Sequence, residues 1–401
     1  MTNPWRGLRS LPHNMWIIFF TTLINRSGTM VLPFLTLYLT SREGLSAGDA
    51  GLVIAFYGAG ALVTAPLSGK LSDKIGPLLL MKLSLITTGF VLFIYPFINH
   101  FYLILILSFI LAIINESFRP ANLSIISQVV SPKQRRSAFA LNRLAINLGM
   151  SIGPVIGGVL TLINFSLIFY IDGITSILAG IFLIFSKWQT IRVEPEIDSE
   201  NNSIGEIIHS HVLKDKRYMY FLLSILPIPL VYFQHLGAYP LFLVHDLGFA
   251  TSTYGILFAI NTIMIIFIEV PLNNLMNNWD EKKSLALGAV LIGAGFGVMV
   301  FAFNLSSIIL TVVVWTFGEM IFFPVSASHV SSLAPEKKRG EYMGYFQMMF
   351  SVAFLLGPWL GTLTFEYYGS TVLWAATFVL GLVSALLLMK SEKNKLSVQN
   401  I

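Results

Sequence analysis

Seven ionisable side chains lie inside otherwise apolar stretches of this sequence: Arg26, Glu116, Arg119, Arg143, Asp172, Glu269 and Glu319. In lipid each costs roughly 2.5 to 3.5 kcal/mol on insertion scales, so each calls for a partner or a polar cavity. Four acids against three arginines leave one acid without a permanent basic partner, and such a carboxylate can carry a proton. Glu116 and Glu319 lead as proton-coupling candidates because they sit 203 positions apart at matching places of an internal repeat, with Asp172 as the third. Blander roles stand beside these. Glu116 and Arg119 are three apart on one helix face and can satisfy each other. Arg143 lies near a span boundary and can snorkel, Glu269 reads as interfacial, and both are expected to be structural charges. Asp172 can pair with Arg143 or hold helix ends together. A lone histidine such as His235 or His329 is more often a packed residue than a working one.

The elements that carry these groups follow from composition. The 401 residues are 55% hydrophobic and 11% charged, with a mean hydropathy of +0.75. A water-soluble protein carries roughly a quarter charged residues, so the solvent for most of this surface is lipid. Zero cysteines exclude disulfides, thiolate metal sites and cysteine nucleophiles. Apolar runs long enough to span occur near residues 14–40, 48–69, 78–98, 101–127, 138–163 and 166–186, then near 218–244, 251–276, 284–303, 306–330, 341–365 and 370–389. The opening stretch, with Arg6 and Arg9, runs into apolar sequence too long for a cleaved signal and is expected to be retained.

Of 25 Lys and Arg residues, 21 fall in flanks and loops on one side of these twelve spans, three fall inside spans, and Arg42 alone falls on the other side. The positive-inside bias therefore places both termini in the cytoplasm of a cell membrane, and the basic pI is topology rather than nucleic-acid binding. The halves repeat. Asn115-Glu116 followed by Ser131-Pro132-Lys133 reappears as Gly318-Glu319 followed by Ala334-Pro335-Glu336, and Gly153-Pro154 as Gly357-Pro358. Parallel repeats of this kind place a binding site near the bilayer midplane between the halves. The polar stretch between them contains Ser203-Ile204-Gly205-Glu206, a capping-box pattern. It is consistent with a surface helix or with a disordered tether.

The loop Gly69-Lys70-Leu71-Ser72-Asp73-Lys74-Ile75-Gly76 resembles the Gly-x-Leu-x-Asp-Arg/Lys-x-Gly signature of the major facilitator superfamily. That resemblance implies paired six-helix bundles, alternating access and coupling to an ion gradient, with Gly69, Asp73, Lys74 and Gly76 in gating. Asp73 would latch the halves by accepting hydrogen bonds at the positive end of helix 11, near Gly340-Glu341. Gly149-Met150-Ser151-Ile152-Gly153-Pro154-Val155-Ile156-Gly157-Gly158 is similar to an element of the family's proton-coupled drug and metabolite exporters. Read physically, Gly149, Gly153 and Gly157 admit a close helix neighbour and Pro154 loosens the ladder, which suits gating or packing alike. In the family, helices 1, 4, 7 and 10 line the central cavity. The resemblance thus adds Asn25, Arg26, Arg119, Gln234 and His235 as substrate-cavity candidates, and Tyr38, Tyr57 and Tyr232 could give an aromatic lining that stacks on flat or cationic substrates. An anionic substrate would use Arg26 and Arg119, and a cationic one Glu116 or Glu319.

The expectation is an all-α membrane protein of twelve transmembrane helices in two pseudo-symmetric six-helix bundles, 1–186 and 218–401, joined by a cytoplasmic linker at 187–217. Its expected function is secondary active transport by alternating access, as a proton-coupled antiporter exporting small organic molecules or drugs. The alternative is a proton-coupled importer of a nutrient. No phosphate-binding loop, metal box or catalytic constellation appears, so no cofactor and no enzymatic activity are expected. The expected partners are a small-molecule substrate, protons and membrane lipid, with a monomer sufficient.

Overall fold

In a computed structural model, residues 11–131, 134–188, 212–276, 278–335 and 339–390 are described, and all regular structure among them is helical. Ten helices are long and apolar enough to cross a membrane, and an eleventh crossing is a bent pair. These are α1 (His13–Ser41), α2 (Ala47–Ile75), α3 (Pro77–Ile94), α4 (Phe101–Val129), α5 (Arg135–Ile163) and α6 (Ser166–Phe185). The bent pair Lys216–His235 and Ala238–Asp246 forms α7, followed by α8 (Thr251–Leu275), α9 (Glu281–Gly297) and α10 (Leu305–Leu333). The last element, Arg339–Lys390, has 52 residues. At 1.5 Å per residue it is more than twice a bilayer's ~30 Å core. It breaks at Gly369, where φ is 81° and only glycine is unstrained, and divides into α11 (339–368) and α12 (370–390). The twelve apolar runs therefore appear as expected. The capping-box segment at 203–206 lies outside the described residues.

Helix boundaries follow local chemistry. Ser46 caps α2 by accepting from the Asp49 amide, Asp280 caps α9, and Asn304 with Ser307 forms a capping box on α10. Asp215 starts α7 by accepting from the amides of Arg217 and Tyr218. Interior breaks have causes as well. Pro33, Pro120 and Pro240 each remove an amide from the ladder, and α1, α4 and α7 are interrupted one turn earlier, at 28–30, Ser117 and 233–237.

The helices pair in the same pattern twice: α1 with α5, α2 with α4 and α3 with α6, then α7 with α11, α8 with α10 and α9 with α12. The first six helices meet the last six along α2 with α11 and α5 with α8. On the face opposite the basic loops one continuous apolar core joins both sets, from Phe34 and Tyr38 to Tyr254 and Trp374. On the basic face the first six helices keep a separate core around Met15, Met81, Ile126 and Leu141. The halves are closed together by apolar packing on the far face.

Candidate functional site

Each half holds a carboxylate at the repeat-related position, and each is bound by uncharged donors. In the first half the Tyr57 hydroxyl on α2 donates to Glu116 Oε1 on α4 at 3.1 Å, and Asn115 Nδ2 donates to the Tyr57 oxygen at 2.7 Å. In the second half Asn261 Nδ2 on α8 donates to Glu319 Oε2 on α10 at 2.9 Å, and the Tyr232 hydroxyl donates to Glu319 Oε1 at 3.3 Å. Neither acid has a cation within ion-pair distance among the described residues, where the ion pairs are Arg143 with Glu269 and His329 with Glu281. Glu116 and Arg119 do not pair. They lie on opposite sides of the Ser117 break, and Arg119 is exposed.

A row of rings runs between the two acids. Tyr57 meets Phe354 edge-on at 5.9 Å, Phe354 lies 4.9 Å from Phe233, and Phe233 lies 5.5 Å from Tyr232. Phe323 and Trp315 flank Tyr232 at 5.0 and 6.2 Å. The row crosses from α2 through α11 to α7, so aromatic surface and two proton-accepting groups share one layer of the molecule.

A cavity with polar and aliphatic lining adjoins Glu116, with Asn25, Arg26, Tyr57, Thr88, Asn115 and Asp172 among its polar residues. Its lining comes from α1, α2, α3, α4 and α6. This cavity lies inside the first bundle. Asp172 does not pair with Arg143: its Oδ2 accepts from the amides of Met30 and Val31, both at 3.2 Å. Those amides are orphaned by the break in α1, so Asp172 caps the outer segment of that helix.

Three cavity candidates have other roles. Tyr38 is 1% exposed, packs 4.7 Å from Phe169 and donates to Glu43, because its position faces α6. Gln234 is buried and donates to the carbonyls of Leu230 and Gly357, patching the broken stretch of α7 against α11. His235 packs against Tyr232, with Nδ1 2.7 Å from the Tyr232 carbonyl oxygen. Asn25 lines the cavity and donates to Ser176. Arg143 and Glu269, read separately as boundary charges, pair with each other across the halves, from α5 to α8. Arg143 and Glu269 also lie close enough to Glu319 for their charges to act on it.

The glycine series on α5 packs against the broken part of α1, with Gly149 at Arg26, Gly153 at the Thr29 carbonyl and Gly157 at Met30 and Phe34. Pro154 turns the other way, its carbonyl oxygen against Gly255 of α8, where a side chain would have no room. Gly76 ends α2 with φ of 86° and Lys74 is exposed, whereas the surroundings of Gly69 and of the Asp73 side chain are not described. Asn261 and Phe354 were not singled out from sequence. Asn261 stands 204 positions after Tyr57, within the spacing of the repeat, and that offset was the available signal.

Known proteins resemble this chain in sequence and in fold. The chain is 24% identical over 401 residues to the quinolone resistance protein NorA of Staphylococcus aureus (strain MSSA476), covering 96% of this chain and 99% of that one. It is 23% identical over 364 residues to a Na(+), Li(+), K(+)/H(+) antiporter of Planococcus maritimus, covering 84% and 85%. A POT family transporter solved in complex with 5-aminolevulinic acid shares the fold, with a TM-score of 0.75, 17% identity and coverage of 95% and 97%. The sequence matches the Major Facilitator Superfamily over residues 15–249 and again over 221–400, and the chain belongs to that family of membrane transporters.

Proposed function

We propose that this transporter is a proton-coupled antiporter that exports small organic molecules across a cell membrane. The observation that carries the reading is the matched pair Glu116 and Glu319, at the two ends of one aromatic row, with Glu116 held by the Tyr57 hydroxyl and Glu319 by the Asn261 amide and the Tyr232 hydroxyl, and no cation in ion-pair contact with either among the described residues. Neutral donors leave such a group free to bind a proton, whereas a fixed cation would hold it ionised. Rings offer stacking to flat substrates and cation–π contact to charged ones. Export also agrees with the kinship to a quinolone resistance protein, and proton exchange with the kinship to a cation/proton antiporter.

The cycle follows from differential binding. Substrate enters from the basic face, taken as cytoplasmic from its charge, and docks beside the rings. Protons taken up at Glu319 and Glu116 from the outside displace it there, and their release inside resets the chain. Because Arg143 and Glu269 sit near Glu319 and bridge the halves, a proton on Glu319 alters the field across that bridge. The working unit in this reading is a monomer of two bundles, 1–186 and 218–401, tethered by 187–217.

The test uses full-length protein in acid-loaded proteoliposomes with a pH-sensitive dye, challenged with cationic aromatic drugs and, separately, with amino acids and sugar acids. Drugs are expected to drive protons out in the parent and not in Glu319→Gln. Proton movement driven only by the nutrients, in their own direction, would replace this reading with a symporter.

A further inference from the structure

The cavity inside the first bundle contains chemistry that the exchange cycle above leaves unused. It has about 50 Å³ of room for water centres, enough for roughly three to five waters. Two buried atoms of its lining residues, Thr88 Oγ1 and Arg26 Nε, have no hydrogen-bond partner among the described residues, and Thr88 is only 3% exposed. Buried polar atoms are almost always satisfied, so this lining calls for water. One guanidinium, Arg26, shares the cavity with two carboxylates, Glu116 and Asp172, and makes an ion pair with neither. Arg26 neutralises one of them at a time, which leaves room for one proton on the pair.

Asp172 has a mechanical position as well as a charge. Its Oδ2 holds the first two amides of the outer segment of α1, Val31–Ser41, just past the break at 28–30. That segment carries the far-face closure: Thr36 donates to the Leu236 carbonyl, Thr40 reaches His245, and Phe34 meets Tyr254 edge-on at 5.2 Å. An ionised carboxylate is the stronger acceptor for two orphan amides, and its protonated form the weaker.

We propose that Asp172 is a second proton-carrying group, exchanging a proton with Glu116 through cavity water, and that its protonation releases the joint in α1 that keeps the far face closed. The proton leaves a Glu116 oxygen for a water, and that water passes one of its own to an Asp172 oxygen, so one proton moves and no other bond changes. Arg26 is the cation that shares the cavity with Asp172. Lys82 on α3 and Arg143 on α5 lie nearer the basic face, and Tyr57 and Glu116 stand across the cavity. The assignment rests on the exchanger reading for its purpose, though its test does not.

Spin labels on Arg42→Cys and Phe303→Cys report the separation of the two halves on the far face, in a chain with no native cysteine. In the parent, without substrate, lowering the pH is expected to raise the long-distance population at least tenfold. Asp172→Asn should abolish that response and stay in the long-distance population at every pH, while Asp172→Glu and Glu319→Gln keep a response. Should Asp172→Asn not fold, Arg26→Gln takes its place and is expected to move the midpoint to higher pH. A response in Asp172→Asn equal to the parent's, or a midpoint untouched by Arg26→Gln, overturns the proposal. Intact pH-driven opening in a protein whose proton traffic ignores every drug would sink the exporter reading alone.

Discussion

Gly58 on α2 is one of the places where the two halves meet backbone to backbone. A Cβ placed there would lie 2.8 Å from the Cα and 2.9 Å from the nitrogen of Leu355 on α11. Backbone atoms of a helix cannot swing aside, so Gly58→Ala forces α2 and α11 apart by about half an ångström. Overpacking of this kind costs about 1 to 3 kcal/mol. The cost falls on the far-face-closed state, because a state in which α2 and α11 have separated at this level has no such clash. Alanine's better helix propensity applies to both states and cancels. The balance should therefore move toward the far-face-open form by roughly 5- to 150-fold. Pulsed spin-label distances between Arg42→Cys and Phe303→Cys measure it directly. Gly344→Ala serves as control, since a methyl group on Gly344 of α11 would have nothing within 4 Å. An unchanged distance distribution in Gly58→Ala, with the protein folded, would refute the claim that this contact defines the closed state.

Further outcomes follow from other contacts. Glu366 on α11 accepts from the Gly48 amide at the N-terminus of α2, so Glu366→Gln loses a charge–dipole attraction of about 0.3 to 1 kcal/mol. It should open the far face up to about fivefold at low salt and by much less at 1 M, read with the same labels. Glu269→Gln breaks the pair with Arg143, whose side chain is 57% exposed. Screening limits the loss of thermal stability to about 1 kcal/mol, and a larger loss would mean the pair is drier than its exposure indicates. Trp374→Ala removes a fully buried ring packed 5.3 Å from Phe242 on α7, and should lower stability by about 3 to 5 kcal/mol in a detergent melt.

The spans were legible because lipid demands about 20 apolar residues in a row, a requirement each stretch meets without reference to any other. The matched acids were legible for a related reason, since the repeat fixes Glu116 and Glu319 to equivalent depths. Facing was not. Arg26 and Arg119 read alike in sequence, yet Arg26 lines the cavity while Arg119, past the Ser117 break, is exposed. Gln234 and Tyr38 are polar residues on lining helices whose partners, the Gly357 carbonyl and Phe169, lie more than 120 positions away. Asn261 was invisible because a neutral amide in a span carries no charge to flag it. The bond between Arg143 and Glu269 needed the docking of two halves, which no single helix encodes.

Gly369 leaves α11 and α12 joined by one residue, with no slack between them. The outer surface of α12 is gripped by the acyl chains, with Val372, Val379 and Leu386 among its exposed residues. Any sliding of α11 against α2 must drag this lipid-held rod along. Bilayer thickness and lateral tension thus enter turnover as a mechanical load, applied from the membrane to the gate through a single glycine.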